Sequence, residues 1–296
     1  MRWDPGHRSS DVIDRRGQSP SGGGGGGGSG LLFQLIFMLL RSRFGWIGAI
    51  LLLLGYFFVL PRLETSNSHG SSHAVGQDPA PTAPDDQQAA FIGFVLDDVQ
   101  DTWQKLSPIQ GHNYRRAKLV LFTGATDTAC GLGQSATGPF YCSRDEHAYI
   151  DLSFYDALTR KLGAPGDFAQ AYVIAHEIGH HVQNILGTSG KVHGASRGER
   201  DGDGGLSVRL ELQADCYAGV WAHGTKQREL LEAGDIEEAL TAAAAIGDDT
   251  LQKNATGRVR PETFSHGTSA QRVTWFKKGF ERGDPSVCDT FAAGTL

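Results

Sequence analysis

Residues Ala171–Gly187 read AYVIAHEIGHHVQNILG, a mostly apolar stretch with three histidines and a glutamate between His176 and His181. Apolar residues flank this cluster on both sides and predict a long buried helix over Asp167–Leu186, stopped at Gly187. Helical residues four apart share a face. His176 and His180 of the H-E-x-x-H pattern therefore present two imidazoles to one point, as a zinc ion bound at about 2.0–2.1 Å requires. Glu177 is offset by one position, so its carboxylate reaches a water beside the metal rather than the metal itself. That is the place from which a proton is taken once a metal has acidified the water. Two imidazoles and a carboxylate buried among apolar side chains would be costly without such a ligand. His181 points about 100° away from His180 and reads as a packing or supporting residue.

A catalytic zinc keeps three protein ligands and one open position. The pattern H-E-x-x-H-x-x-G-x-x-H fails here, because Gln183 stands at the glycine and Leu186 at the last histidine. His193, Asp201 and Asp203 lie in the glycine-rich stretch Gly187–Gly205, which reads as a mobile loop and would hold a ligand poorly. Glu211 is the better third ligand. It sits in ELQAD on a predicted helix, 31 residues after His180, with largely apolar neighbours. Asp215 follows on the same face, four residues on, and is placed to accept the N–H of a ligand histidine and fix its tautomer.

Ser265–Arg272 reads SHGTSAQR. Thr268 or Ser269 can cap a last helix running to Arg282. His266 just before it is a candidate donor to the oxyanion of a peptide-bond transition state, with Arg272 to orient it or to bind the substrate carbonyl. A structural cap with a buried histidine is the competing reading. Tyr172, one turn before His176, is a weaker donor candidate.

The chain has 296 residues and a formal charge of −6, which leaves no basic footprint for nucleic acid. Residues 1–30 end in a glycine tract and read as a disordered cytoplasmic segment. Residues 31–60 follow as a membrane anchor, with the uncharged run Phe44–Leu60 at the short end of a helical span. Residues 61–88, rich in Ser, Pro, Gly and Asp, read as a flexible stalk, and residues 89–296 as the catalytic domain. Six arginines precede Phe44 and only Arg62 lies in the stalk. The positive-inside rule then predicts a single pass, with the N-terminus in the cytoplasm and the domain outside. Four cysteines lie beyond the span, which suits disulfides in an exported domain. We pair Cys130 with Cys142, close in sequence, leaving Cys216 with Cys288; four buried thiols are the alternative.

Phe91–Leu106 reads as a first helix, Ala117–Phe122 and Ala148–Phe154 as strands, and Tyr155–Gly163, Leu206–Gly224 and Asp235–Gly247 as further helices. Helices dominate, with a few strands before the histidine helix, so the fold class is α+β.

Three stretches, AYVIAHEIGHHVQNILG, ELQADCYAGVWAHG and FSHGTSAQRVTWFKKGF, together resemble the neutral zinc metallopeptidases of bacterial membranes. MRW, DRRG, GPFYC and YIDLSF match the same family. The resemblance covers most of the chain apart from the two linkers. It implies a zincin-like fold with one zinc on His176, His180 and Glu211, and with Glu177 as the catalytic residue. The expectation is a zinc endopeptidase anchored in a bacterial inner membrane, acting on protein or peptide. Ala148–Phe154 is the expected edge on which a peptide lies as an added strand. A tethered scaffold with a structural zinc is the rival; it needs a fourth ligand such as His193 or His266 and has no use for Glu177. A hydrolase of non-peptide bonds is a third reading.

Overall fold

The computed structural model describes residues 1–20, 83–292, 294 and 295. The expected anchor, residues 31–60, lies outside the described residues. Among the described residues no helix is long and apolar enough to cross a membrane.

The strands are β1 (Val12–Asp14), β2 (Lys118–Phe122), β3 (Ala125–Thr128), β4 (Gly131–Gln134), β5 (Phe140–Cys142) and β6 (His147–Asp151). The helices are α1 (Ala83–Leu106), α2 (Ser153–Arg160), α3 (Asp167–Ile185), α4 (Thr188–Gly194), α5 (Arg197–Arg200), α6 (Leu206–Gln227), α7 (Asp235–Ala245), α8 (Asp248–Thr256) and α9 (Ser269–Arg282). The α+β reading holds: the described part is mostly helical, with a four-stranded sheet ordered β1-β2-β6-β5 and a separate β3–β4 hairpin. β1, β2 and β6 run parallel, and β5 runs antiparallel to β6.

Strand alternation divides the sheet between two cores. Leu119, Leu121, Ala148 and Ile150 join the main core with the helices, whereas Val120, Phe122, Cys142 and Tyr149 form a small cluster of their own. α3 is buried almost all round, as a central helix must be. Close backbone approach then sets the helices around it. A Cβ on Gly179 would lie 3.0 Å from the Ala214 carbonyl oxygen, so the glycine of HEIGHH is where α6 crosses α3. A Cβ on Gly279 would lie 2.0 Å from the Cys216 carbonyl oxygen, and α9 meets α6 backbone to backbone. Disulfides Cys130–Cys142 and Cys216–Cys288 tie the hairpin to β5, and α6 to the turn after α9. They close loops of 12 and 72 residues, which chain entropy values at about 3 and about 4 kcal/mol.

Several expectations change. α1 begins at Ala83, so the end of the expected stalk is helix and the folded part starts before residue 89. Gly187–Gly205 is not a featureless loop; it carries α4 and α5. Residues 152–154 leave the sheet and enter α2, and β6 lies inside the sheet between β2 and β5. The edge strand beside α3 is therefore β5.

The largest correction concerns residues 1–20, expected as disordered. They belong to the same folded unit as residues 81–296. Val12, Ile13 and Asp14 pair in register with Leu119, Val120 and Leu121. The Met1 amine meets Asp167 of α3 at 2.7 Å and Asp235 of α7 at 3.4 Å. Arg15 and Arg16 bond the Asp127 carbonyl and Asp14. They are parts of a fold, not free loop charges, and the arginine asymmetry loses its meaning as a topology signal. Two flanks that share one sheet cannot lie on opposite sides of a bilayer, so the N-in, C-out reading is withdrawn. Epitopes inserted at the exposed Gln18–Ser19 and at the exposed Arg258–Arg260 should be reached by antibody from the same face of sealed vesicles. Labelling from opposite faces would mean that β1 does not pair with β2.

Candidate metal centre

α3 and α6 each contribute one face to the site. The periodicity that buries α3 carries His176 and His180 to the crossing at Gly179, where α6 presents Glu211 and Asp215. His176 Nε2 lies 3.1 Å from Glu211 Oε2, and His180 Nε2 lies 3.5 Å from Glu211 Oε1. Donor atoms of these three residues all fall within 4.8 Å of one another.

The other nitrogen of each imidazole is occupied. His176 Nδ1 donates to Asp215 Oδ1 at 2.8 Å, and His180 Nδ1 to Gln183 Oε1 at 2.8 Å. A neutral imidazole that gives its proton to such a partner points a lone pair from Nε2. Two lone pairs facing a carboxylate repel unless a cation lies between. In the metal-free protein a proton serves: burial pushes His176 down, but Asp215 and Glu211 outweigh it and lift the imidazole to about 10. His180 is raised in the same way against its burial, by Glu211. Burial alone would raise Glu211; the two imidazoles hold its carboxyl well below the usual range instead. This donor set fits zinc, which takes nitrogen and carboxylate ligands. The same protons make metal binding weaker as the pH falls.

Glu177 is buried beside the cluster, and its Oε2 has no hydrogen-bond partner among the described residues. Burial raises its carboxyl above its ordinary value. An orphaned buried carboxylate oxygen is rare and suits a group that meets its partner only during a reaction.

Asp215 is fully buried. Besides His176 it accepts from Tyr172 Oη at 2.5 Å and from Arg272 Nε and Nη2 at 2.8 and 2.9 Å. Arg272, expected beside His266, is instead the buried counter-ion of Asp215. The Tyr172 hydroxyl donates its hydrogen bond to the same carboxylate. His181 bonds away from the cluster: its Nε2 donates to the Arg115 carbonyl at 2.7 Å, which leaves Nδ1 to accept from Tyr141 of β5 at 2.8 Å. It fastens the edge strand to α3.

His266 lies on the rim of the same cavity as the cluster, a space of about 980 Å³ that Phe140 and Tyr141 of β5 also line. The His266 imidazole is half-exposed. Asp248, which sequence reasoning missed, holds it. Asp248 Oδ2 accepts the backbone N–H groups of Ser265, His266 and Gly267 at 2.7, 2.6 and 3.1 Å, and Oδ1 lies 3.2 Å from His266 Nδ1. The bond to Asp248 raises the His266 imidazole above its ordinary value. Gln183, the partner of His180, was also missed, being weighed only as a departure from another motif. Its i+3 spacing from His180 was the available signal. His193 lines the cavity but stands outside the donor cluster. Asp201 bonds Arg197, and Asp203 bonds Gln271.

Residues 1–291 match the family described as "Putative neutral zinc metallopeptidase", and the chain belongs to that family. It is 48% identical over 295 residues to the uncharacterized protein YpfJ of Escherichia coli K12, a match covering 98% of this chain and 99% of that one. It is 46% identical over 209 residues to uncharacterized proteins of Mycobacterium bovis and Mycobacterium tuberculosis H37Rv, covering 67% of this chain and 69% of each. No solved structure matches it.

Glu211→Ala removes one of three donors and leaves two imidazoles. Zinc affinity, measured by competition with a chromophoric chelator, should fall by more than about 100-fold, beyond the usual cost of losing an outer partner. Unchanged affinity would place the third ligand elsewhere.

Proposed function

We propose that the protein is a zinc-dependent endopeptidase in which His176, His180 and Glu211 hold the metal and Glu177 is the general base. The observation that carries this reading is the buried Glu177 oxygen without a partner beside a three-donor cluster. A structural zinc site is closed by four protein ligands. Among the described residues neither His193 nor His266 joins the cluster, which favours the enzyme over the scaffold.

A zinc ion on these donors supplies Lewis acidity, lowering the pKa of a water and polarising the scissile carbonyl. The chain's own groups do the rest. Glu177 takes a proton from the attacking water at its carboxylate and passes it to the leaving amine. The Asp215–His176 and Gln183–His180 bonds keep both imidazoles turned toward the metal. His266, whose imidazole Asp248 raises above its ordinary value, donates to the oxyanion that develops on the carbonyl. The peptide lies along β5, the outermost strand of its sheet, whose free side offers main-chain hydrogen bonds to an added strand. That edge replaces Ala148–Phe154 in the sequence-based expectation.

The location proposed is the exported face of a bacterial membrane. Two disulfides support it, since such bonds persist outside the cytosol. In this reading residues 31–60 attach the protein to the bilayer with both flanks on that face. Alkylation of denatured but unreduced protein from the membrane fraction should find no free thiol. Four free thiols would return the domain to the cytoplasm.

Glu177→Gln should leave zinc content unchanged and lower peptide cleavage about 10²–10⁴-fold, the range for loss of a general base. The upper end is expected, because both proton transfers pass through this carboxylate. Full zinc with unchanged cleavage would put the base elsewhere.

The His266 assignment has its own pH signature. His266 acts as the cation and Asp248 raises its pKa, so activity is lost as pH rises through that raised value. Asp248→Asn removes the support and should move the alkaline limb of kcat/KM to lower pH. His266→Ala should lower kcat about 10²-fold. Profiles identical to wild type in both variants would remove His266 from the reaction.

A further inference from the structure

His180 and His176 are supported differently. His176 leans on a buried carboxylate, His180 on a neutral amide. A glutamine can present either end, because its oxygen accepts and its nitrogen donates. The surroundings of Gln183 decide which end faces His180. Gln183 is fully buried. Its Nε2 donates to the Leu210 carbonyl at 2.6 Å and to Gln213 Oε1 at 3.1 Å. Gln213 is oriented in turn, since its own Nε2 donates to the Cys288 carbonyl at 2.9 Å. Backbone carbonyls can only accept. The polarity of the row is therefore set at Leu210 and Cys288 and transmitted inward. Both amides must turn their nitrogens toward those carbonyls, so the oxygen of Gln183 must face His180. His180 Nδ1 then keeps its proton, and Nε2, which faces Glu211, is the nitrogen left to a metal.

We propose that Gln183 is a positioning residue for the metal centre. Through a directional row of amides anchored on the Leu210 and Cys288 carbonyls, it fixes His180 in the one tautomer that can bind zinc. The Cys216–Cys288 disulfide fastens the far end of this row to α6, the helix that carries Glu211 and Gln213. The inference rests on the zinc reading proposed above.

Two substitutions separate this role from packing. Gln183→Met keeps the shape and removes both the acceptor and the donor. Gln183→Glu keeps an acceptor for His180 but turns a carboxylate oxygen toward the Leu210 and Gln213 acceptors, which is the costlier change for a buried group. Two quantities are measured on the full chain: the urea midpoint without metal, and the zinc dissociation constant by chelator competition. Gln183→Met should weaken zinc about 10–100-fold, the usual effect of losing an outer partner, while unfolding at more urea than Gln183→Glu. Gln183→Glu should hold zinc within a few-fold of wild type despite its lower stability. The two variants thus rank in opposite orders for stability and for zinc. If zinc affinity simply follows stability, or if Gln183→Met binds zinc as wild type does, Gln183 is a packing residue and the proposal fails. If wild-type affinity is itself unaffected by Glu211→Ala, the metal-site reading fails first, and that result is distinct from a Gln183 result.

Discussion

The buried carboxylate of Asp215 is the interaction on which the rest of the site depends. A lone carboxylate in that position would be neutralised or expelled. It stays charged because Arg272, also fully buried, meets it through two nitrogens, while Tyr172 and His176 complete its hydrogen bonds. Burial raises its pKa, and Arg272 and His176 more than reverse that. These four residues come from α3, α6 and α9. One carboxylate therefore joins three helices, and its contacts can form only where they approach closely. Gly179 lets α6 onto α3, and Gly219 and Gly279 let α9 onto α6. Breaking a buried pair by removing one partner costs about 3–5 kcal/mol. It would also leave the carboxylate that accepts from His176 without its counter-ion.

The centre of this site was legible in sequence because its logic is local. H-E-x-x-H and E-x-x-x-D each place two side chains on one helical face, and periodicity alone shows it. The apolar neighbours of Glu211 show that its helix is buried. What escaped depends on partners far along the chain. β1 has three residues, too few for a period, and its pairing with β2 spans more than one hundred positions. The glycine tract after it made the whole N-terminal region look unstructured. Arg272 was assigned to His266 because the two are neighbours in sequence, yet the turn of α9 carries Arg272 inward to Asp215. Gln183 and Asp248 are polar residues whose function depends on which carbonyl or amide they meet. The glycines between Gly187 and Gly205 suggested a loop, but Gly190 and Gly198 sit inside short helices and lack the positive φ that marks Gly187, Gly202 and Gly204. Glycine content counted against helix there, whereas its dihedrals did not.

The sheet has a role beyond core packing. β5 is held at one end by the Cys130–Cys142 disulfide and along its length by Tyr141, whose hydroxyl meets His181 and Asn184 of α3. The extra histidine of HEIGHH thus serves the strand rather than the metal. It sets the distance between an edge that can take an added strand and the helix that carries the candidate catalytic groups. The two adjacent histidines divide two tasks: His180 faces the donor cluster and His181 holds the wall of the cavity.

Charge balance in the cluster gives the last step. Asp215 is matched by Arg272, so Glu211 is the carboxylate that remains to be paired. Without metal, protonated imidazoles pair it, and Glu177 is raised by its burial toward the neutral acid. A dication on the same donors would replace the two imidazole protons charge for charge, so the net charge beside Glu177 would stay the same. The charge that Glu211 needs can thus come from protons or from a metal without altering the balance of the buried helices, and Glu177 stands beside that charge with no hydrogen bond on its Oε2 among the described residues.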